Sequence, residues 1–319
     1  MTLLDIHSLV VEYRTLRANV KAVDRVSLAM EKGQTLGLVG ESGCGKSTLG
    51  LSIVQLVPPP GRTVSGQIAF DGIDVINCSD EEIRRLRGKR VGYIFQDPMT
   101  SLNPVKKIGE HFVEMIRTHE PEISKEDALK RAQEIMEQLG ILPERINDFP
   151  HQFSGGMRQR VMIGLALALG PDLVIADEPT TSLDVIVEAQ IIQLLKNLKQ
   201  SLGLTLILIT HNIGIVAETT DQVAVMYAGR IAELAHTRDL FKQPMHPYTQ
   251  ALLNSVPNIT KKDQVLSWIP GAPPDLASPP FGCLFHPRCP FVFDRCRKEE
   301  PMLTKHDHSE VACHLYDKR

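Results

Sequence analysis

The sequence predicts an α/β fold on three observations. Short aliphatic or β-branched runs recur at Leu36–Val39, Val91–Phe95, Leu173–Ala176, Thr205–Ile209 and Val223–Met226. Runs of this length bounded by turn signals suit strands buried on both faces of a parallel sheet. Between them lie stripes at helical spacing: Val187, Ile191, Leu194, Leu195, Leu198 and Leu202 share one face, as do Ala128, Ala132, Ile135, Met136 and Leu139. Finally, Val105–Gly170 reads as mostly helix with no convincing strand. That predicts a helical insertion, about residues 97–170, in the α/β layer.

Composition narrows the class. The 319 residues are 43% hydrophobic, 23% charged and 5% aromatic, enough for one large domain with an appendage or for two domains. A net charge of −3 argues against a generally basic, nucleic-acid-binding surface. The longest apolar stretch, Val161–Leu169, is about half of what a membrane span requires. The start, Met-Thr-Leu-Leu-Asp-Ile-His, lacks the cationic segment of an export signal, so the expected compartment is the cell interior with thiols reduced. Six cysteines are too few for a disulfide scaffold, yet four of them, Cys283, Cys289, Cys296 and Cys313, crowd into a proline-dense tail. This shift in composition predicts a boundary near residue 255, with 1–255 as the main domain and 256–319 as a small Cys-rich one.

The chemistry starts at Gly40-Glu41-Ser42-Gly43-Cys44-Gly45-Lys46-Ser47, followed by Thr48. This is the P-loop pattern, directly after the strand Leu36–Val39 and at the start of a predicted helix running to about Leu56. Its glycines let backbone N–H groups converge on phosphate oxygens, and the helix N-terminus adds a favourable dipole. Lys46 would supply charge to the β- and γ-phosphates and Ser47 a hydroxyl for Mg²⁺. Cys44 sits at a variable loop position where backbone does the binding, so it is no metal ligand. A carboxylate partner follows in Leu173-Val-Ile-Ala-Asp177-Glu178, an apolar strand ending in two acids. Asp177 could hold Mg²⁺ through water, and Glu178 could polarise the attacking water. Read alone, the two acids have a solvated strand cap as their ordinary alternative.

Together with Phe153-Ser154-Gly155-Gly156-Met157-Arg158-Gln159-Arg160, these residues resemble the ATP-binding subunits of ABC transporters, whose signature motif this segment matches. Phe153 stands where the family usually has Leu, and Met157 where it has Gln; the Ser-Gly-Gly core is intact. The resemblance implies a P-loop (RecA-like) core with an ABC-type β subdomain and a helical subdomain. It further implies roles for Gln96 as the Q-loop glutamine and a Mg²⁺ ligand, Ser182-Leu183-Asp184 as the D-loop, His211 as the switch histidine and Tyr13 as the residue stacking on adenine. The turn Arg14–Val20 is longer than usual there. Each has an ordinary alternative: Gln96 as a strand-end polar group, His211 as a neighbour of a helix start, Tyr13 as strand packing and Ser154 as a helix cap. Two glycines at a helix start cost about 1 kcal/mol each against alanine, which close approach of an anion would explain. In the family, the signature of one subunit completes the ATP site of a second, so Ser154, Gly155, Gly156 and Asp184 would face a partner's nucleotide.

Beyond His211, His246-Pro247-Tyr248-Thr249-Gln250-Ala251-Leu252-Leu253, Ile269-Pro270-Gly271 and Gly282-Cys283 resemble the C-terminal region of oligopeptide/dipeptide and nickel importer ATPases, as does Pro98-Met99-Thr100-Ser101-Leu102-Asn103-Pro104. That resemblance implies a second ATPase subunit, two transmembrane permease subunits, an extracytoplasmic peptide-binding protein and a place on the cytoplasmic face of the membrane. Nickel or another small solute is the alternative cargo. A soluble ATPase acting on nucleic acid or ribosomes is a weaker alternative, because such proteins usually carry two cassettes or a long coiled-coil insertion. A regulator without turnover would need a defective motif residue, and Lys46, Asp177, Glu178 and His211 are all present. The four tail cysteines lack a C-x₂-C pair, so they do not form a standard zinc-ribbon pattern. Some family members carry a [4Fe–4S] cluster here; Zn²⁺, with His286, His306, His308 or His314, and metal-free thiols are the alternatives.

Overall fold

The five predicted strands form, each within one residue of the expected ends. The computed structural model describes residues 2–16, 18–97, 101–181, 183–255 and 269–317. Pro98, Met99, Thr100 and Ser182, and the segment following the expected boundary near 255, lie outside the described residues. The chain divides into two units, 1–77 with 209–319, and 78–208.

In the first unit, β1 (Thr2–Arg14), β2 (Asn19–Glu31), β4 (Gly61–Phe70) and β5 (Ile73–Asp74) make an antiparallel sheet in the order β2-β1-β4-β5. The fully buried β3 (Thr35–Val39) pairs in parallel with β9 (Gln222–Tyr227), which pairs antiparallel with β10 (Arg230–His236). The glycine loop leads from β3 into α1 (Lys46–Ile53), shorter than the expected run to Leu56. After β8 (Thr205–Thr210) come α7 (Ile213–Thr219), α8 (Thr237–Lys242) and α9 (Pro247–Asn254).

The segment 269–317 belongs to this unit too. Its β12 (Ser309–Val311) adds to β10, and β11 (Thr304–His306) pairs with β12. Beyond this short ladder, the segment docks through aromatic packing. Phe285 is 2% exposed and lies edge-on to Tyr227, with ring centroids 5.2 Å apart, and 5.5 Å from the Tyr248 ring. Burying rings of this size contributes more than the short β-ladder can.

In the second unit, β6 (Val91–Ile94) and β7 (Leu173–Asp177) pair in parallel, with β8 next to β7. The expected helical insertion contains α3 (Ile108–His119), α4 (Lys125–Gln138) and α5 (Gly155–Leu167). They enclose a core of Phe112, Ile116, Ala128, Ala132, Met136, Ile146 and Val161. Ala128, Ala132 and Met136 recur every four residues, which puts them on one face of α4. On α6 (Val185–Leu202) the predicted stripe holds at Ile191, Leu195 and Leu198 but not at Leu202, which is 54% exposed in the last turn. Among the described residues, no helix is long and apolar enough to cross a membrane.

Candidate functional site

The phosphate loop is shaped by close packing within its own unit. Gly45 has φ 101°, and a Cβ there would come within 2.0 Å of the Ala22 carbonyl oxygen, so only glycine fits. The first turn of α1 carries no side-chain cap and no acidic residue. The positive end of its dipole therefore favours an anion. Lys46 is 5% exposed, and its ammonium donates to the carbonyls of Gly40 at 2.9 Å and Glu41 at 3.1 Å. Ser42 and Gly43 are exposed, while Ser47 and Thr48 are half-buried. Burial pushes the Cys44 thiol above its ordinary pKa. The half-buried Tyr13 of β1 reaches the loop, its hydroxyl 3.3 Å from that of Thr48.

Elements far along the chain hold the start of this loop. The Tyr248 hydroxyl accepts the Glu41 N–H at 2.9 Å. Arg288 grips the Glu41 carboxylate through both terminal nitrogens, at 2.6 and 2.9 Å, and donates Nε–H to the Pro270 carbonyl at 2.8 Å. Tyr248 is itself placed by α9, whose start is pinned by the buried Glu233 carboxylate accepting the N–H groups of Met245 and His246. Burial drives the His246 pKa down to about 4. The ring is therefore neutral, and its Nδ1 accepts the Tyr248 N–H at 2.9 Å. His211, exposed, follows β8 directly, just before the Asn212 cap of α7.

The second unit carries the acids. Asp177, 5% exposed at the end of β7, accepts the Tyr93 hydroxyl of β6 at 2.9 Å. Burial and the neighbouring Asp177 charge hold the Tyr93 phenol far above its usual pKa, so it remains a donor. Glu178, the next residue, has φ 45°, in the left-handed region that side chains usually avoid. Strain of this kind, on the order of 1 kcal/mol or more, collects at functional sites. Its carboxylate accepts Gln96 Nε2 at 3.0 Å and the Thr181 hydroxyl at 2.9 Å. Two residues selected separately from the sequence, Gln96 and Glu178, are thus in direct contact. Tyr93 and Thr181 were not selected; the rule that a buried tyrosine hydroxyl finds a partner would have singled out Tyr93 within its aliphatic run.

Ser154 caps α5 by accepting the Met157 N–H at 3.3 Å, and Asp184 caps α6 by accepting the Val187 N–H at 2.9 Å. Both side chains are exposed. Phe153, at the position where leucine was expected, is 3% exposed, with the Arg145 guanidinium 4.3 Å over its ring. Gly156 has a packing reason beyond anion approach: a Cβ there would meet the Val187 side chain at 2.5 Å.

The four tail cysteines, with His286 and His314, line one small cavity next to Phe285 and Phe291. All four are free thiols. Burial and neighbouring sulfurs push Cys283 up to about 11 and Cys313 up to about 12. Among the described residues, no three His, Cys, Asp or Glu side chains are grouped so as to hold a metal ion.

Comparison with known proteins accords with this arrangement. The ABC transporter family model matches residues 23–181, and that of the oligopeptide/dipeptide transporter C-terminal region matches 232–296. The oligopeptide transport ATP-binding protein OppD of Bacillus subtilis is 47% identical over 95% of this chain and 86% of its own length. The dipeptide transport ATP-binding protein DppD of Escherichia coli is 44% identical over 98% of this chain and 97% of its own. A dimeric ATP-binding cassette solved in a post-hydrolysis state with ADP and Pi superposes with a TM-score of 0.66 at 28% identity, over 74% of this chain and 99% of that one. With the phosphate loop, the paired acids and the C-terminal region all accounted for, the chain belongs to the ATP-hydrolysing subunits of ABC transporters, in their oligopeptide/dipeptide branch.

Proposed function

We propose that this subunit energises the import of dipeptides or oligopeptides from the cytoplasmic face of the membrane, paired with a second ATPase subunit and two transmembrane permease subunits. An extracytoplasmic peptide-binding protein would deliver the cargo. The supporting observation is the match of residues 232–296 to the peptide-transporter C-terminal region, on a chain alignable nearly end to end with peptide-transport relatives. Reconstitution of the whole transporter in proteoliposomes tests the cargo: addition of peptide with its binding protein is expected to stimulate ATP hydrolysis and drive peptide uptake. Nickel uptake with no response to peptide would assign the alternative cargo.

In this reading ATP lies against the backbone of residues 40–48, with Tyr13 against the adenine. The partner's signature segment closes the far side, as Ser154, Gly155, Gly156 and Asp184 of this chain do for the partner. Lys46 neutralises charge on the β- and γ-phosphates, and His211 contacts the γ-phosphate. The oxygen donors Ser47, Asp177 and Gln96 suit Mg²⁺, a hard cation that withdraws charge from the phosphates. Glu178 takes the proton of the attacking water, held in aim by Gln96 and Thr181. Water attacks the γ-phosphorus, the bond to the β-bridging oxygen breaks, and ADP and phosphate leave.

We further propose that the four tail thiols hold a [4Fe–4S] cluster. The support is their soft donor chemistry and their common cavity; ligation would require them to draw together and lose their protons. Full-length protein purified anaerobically should absorb broadly near 400 nm and bleach with dithionite. A colourless sample containing zinc, or no metal, would refute the cluster.

A further inference from the structure

A glutamate at the second position of a phosphate-binding loop poses an electrostatic problem. Its carboxylate stands among backbone groups that must attract an anion carrying several negative charges. The structure contains the answer on a segment that no nucleotide motif includes. Arg288 lies 247 residues away in sequence, its side chain is 4% exposed, and it forks onto both carboxylate oxygens of Glu41. The guanidinium is held from behind by the Pro270 carbonyl and from the side by the Tyr227 ring, 5.8 Å from its centroid. Hydrogen bonding to Glu41 raises the Arg288 pKa further, so the cation is permanent. Glu41 is fixed at its other two polar groups as well, its N–H by Tyr248 and its carbonyl by Lys46.

We propose that Arg288 is a positioning residue for nucleotide binding: it cancels the Glu41 charge and fixes the start of the phosphate loop, so that the C-terminal segment completes the ATP site of its own chain. A bidentate guanidinium suits this task because it neutralises the carboxylate and sets its orientation together. Cys289 follows Arg288 directly, so the state of the thiol cavity and the set of the phosphate loop share one stretch of backbone. The proposal rests on the reading of residues 40–48 as the ATP site.

The test is a charge cycle in the full-length protein, with binding of a fluorescent MgATP analogue as the readout. R288M is expected to weaken the affinity about tenfold at low salt, the deficit shrinking as ionic strength rises. In the E41Q background the same R288M change should cost little, because no carboxylate remains to be cancelled. R288K should restore part of the affinity. In the assembled transporter, R288M should raise KM for ATP while kcat falls much less. A purely structural role for Arg288 predicts equal losses in both backgrounds, no salt dependence and matching falls in thermal stability; that pattern would overturn the proposal. Wild-type protein that does not bind the analogue would instead overturn the assignment of the phosphate loop.

Discussion

Replacing Glu178 with glutamine is expected to lower steady-state ATP turnover of the assembled transporter by about 10²–10⁴-fold while leaving MgATP binding intact. The geometry explains why binding and chemistry separate. Glutamine has the same length as glutamate, and its amide oxygen can still accept from Gln96 and Thr181, which now contact the carboxylate at 3.0 and 2.9 Å. The strained backbone at φ 45° depends on the turn after β7 and not on the charge. Only proton acceptance disappears. ATP should therefore accumulate on the enzyme with the two ATPase subunits held closed. Phosphate release, single-turnover kinetics and binding of the MgATP analogue together check this. Normal turnover in E178Q would remove Glu178 from the role of base, and loss of binding would show that the carboxylate holds ligand or metal instead.

Much of the fold was legible because local pattern and global environment agree. Apart from Tyr93 and Phe95, the five aliphatic runs are buried on both faces, so an unbroken apolar stretch is the correct signature for them. Ala128, Ala132 and Met136 all point into one core, so their spacing reads directly as a helix face. The long antiparallel strands β1 and β2 were not legible as elements. Register shifts between Ile6 and Leu9 and between Leu9 and Val11, with Ser8 at φ 46°, break the two-residue alternation on which a strand assignment relies. Leu202 shows the opposite failure: the stripe continues to the last turn of α6 after the core it faces has ended.

Legibility within the site follows sequence distance. The phosphate loop is a contiguous word, and its chemistry follows from backbone and helix dipole. The contact of Gln96 with Glu178 joins two residues already suspect for other reasons. Arg288 had no such mark. Its meaning comes entirely from Glu41, a partner on the far side of the chain in sequence, and only folding brings the two together. Gly156 is instructive in another way. Its cost at a helix start was visible, but an anion was only one of two reasons for it, the other being the Val187 side chain of α6. A residue that breaks a local rule signals close approach of some group without naming the group.

Lys46→Met should be the most damaging single change for nucleotide affinity, weakening MgATP binding by about 10²-fold or more. The lysine stem is buried and methionine preserves most of its packing, so the fold should survive and the melting temperature should move little. What is lost is a cation whose partners are the neutral carbonyls of Gly40 and Glu41 and, at 3.9 Å, the Cys44 thiol. Exchanging such neutral carbonyls for anionic phosphate oxygens adds the attraction of opposite charges to bonds the ammonium already makes, and that difference is the gain on binding. Arg288, by contrast, acts on the nucleotide through Glu41, with the carboxylate already partly screening its charge, so its removal should cost about a tenth as much. Titration of both variants with the MgATP analogue at two ionic strengths compares a direct contact with an indirect one. Should K46M and R288M lose affinity equally, Lys46 would be contributing shape to the loop, not charge to the phosphates.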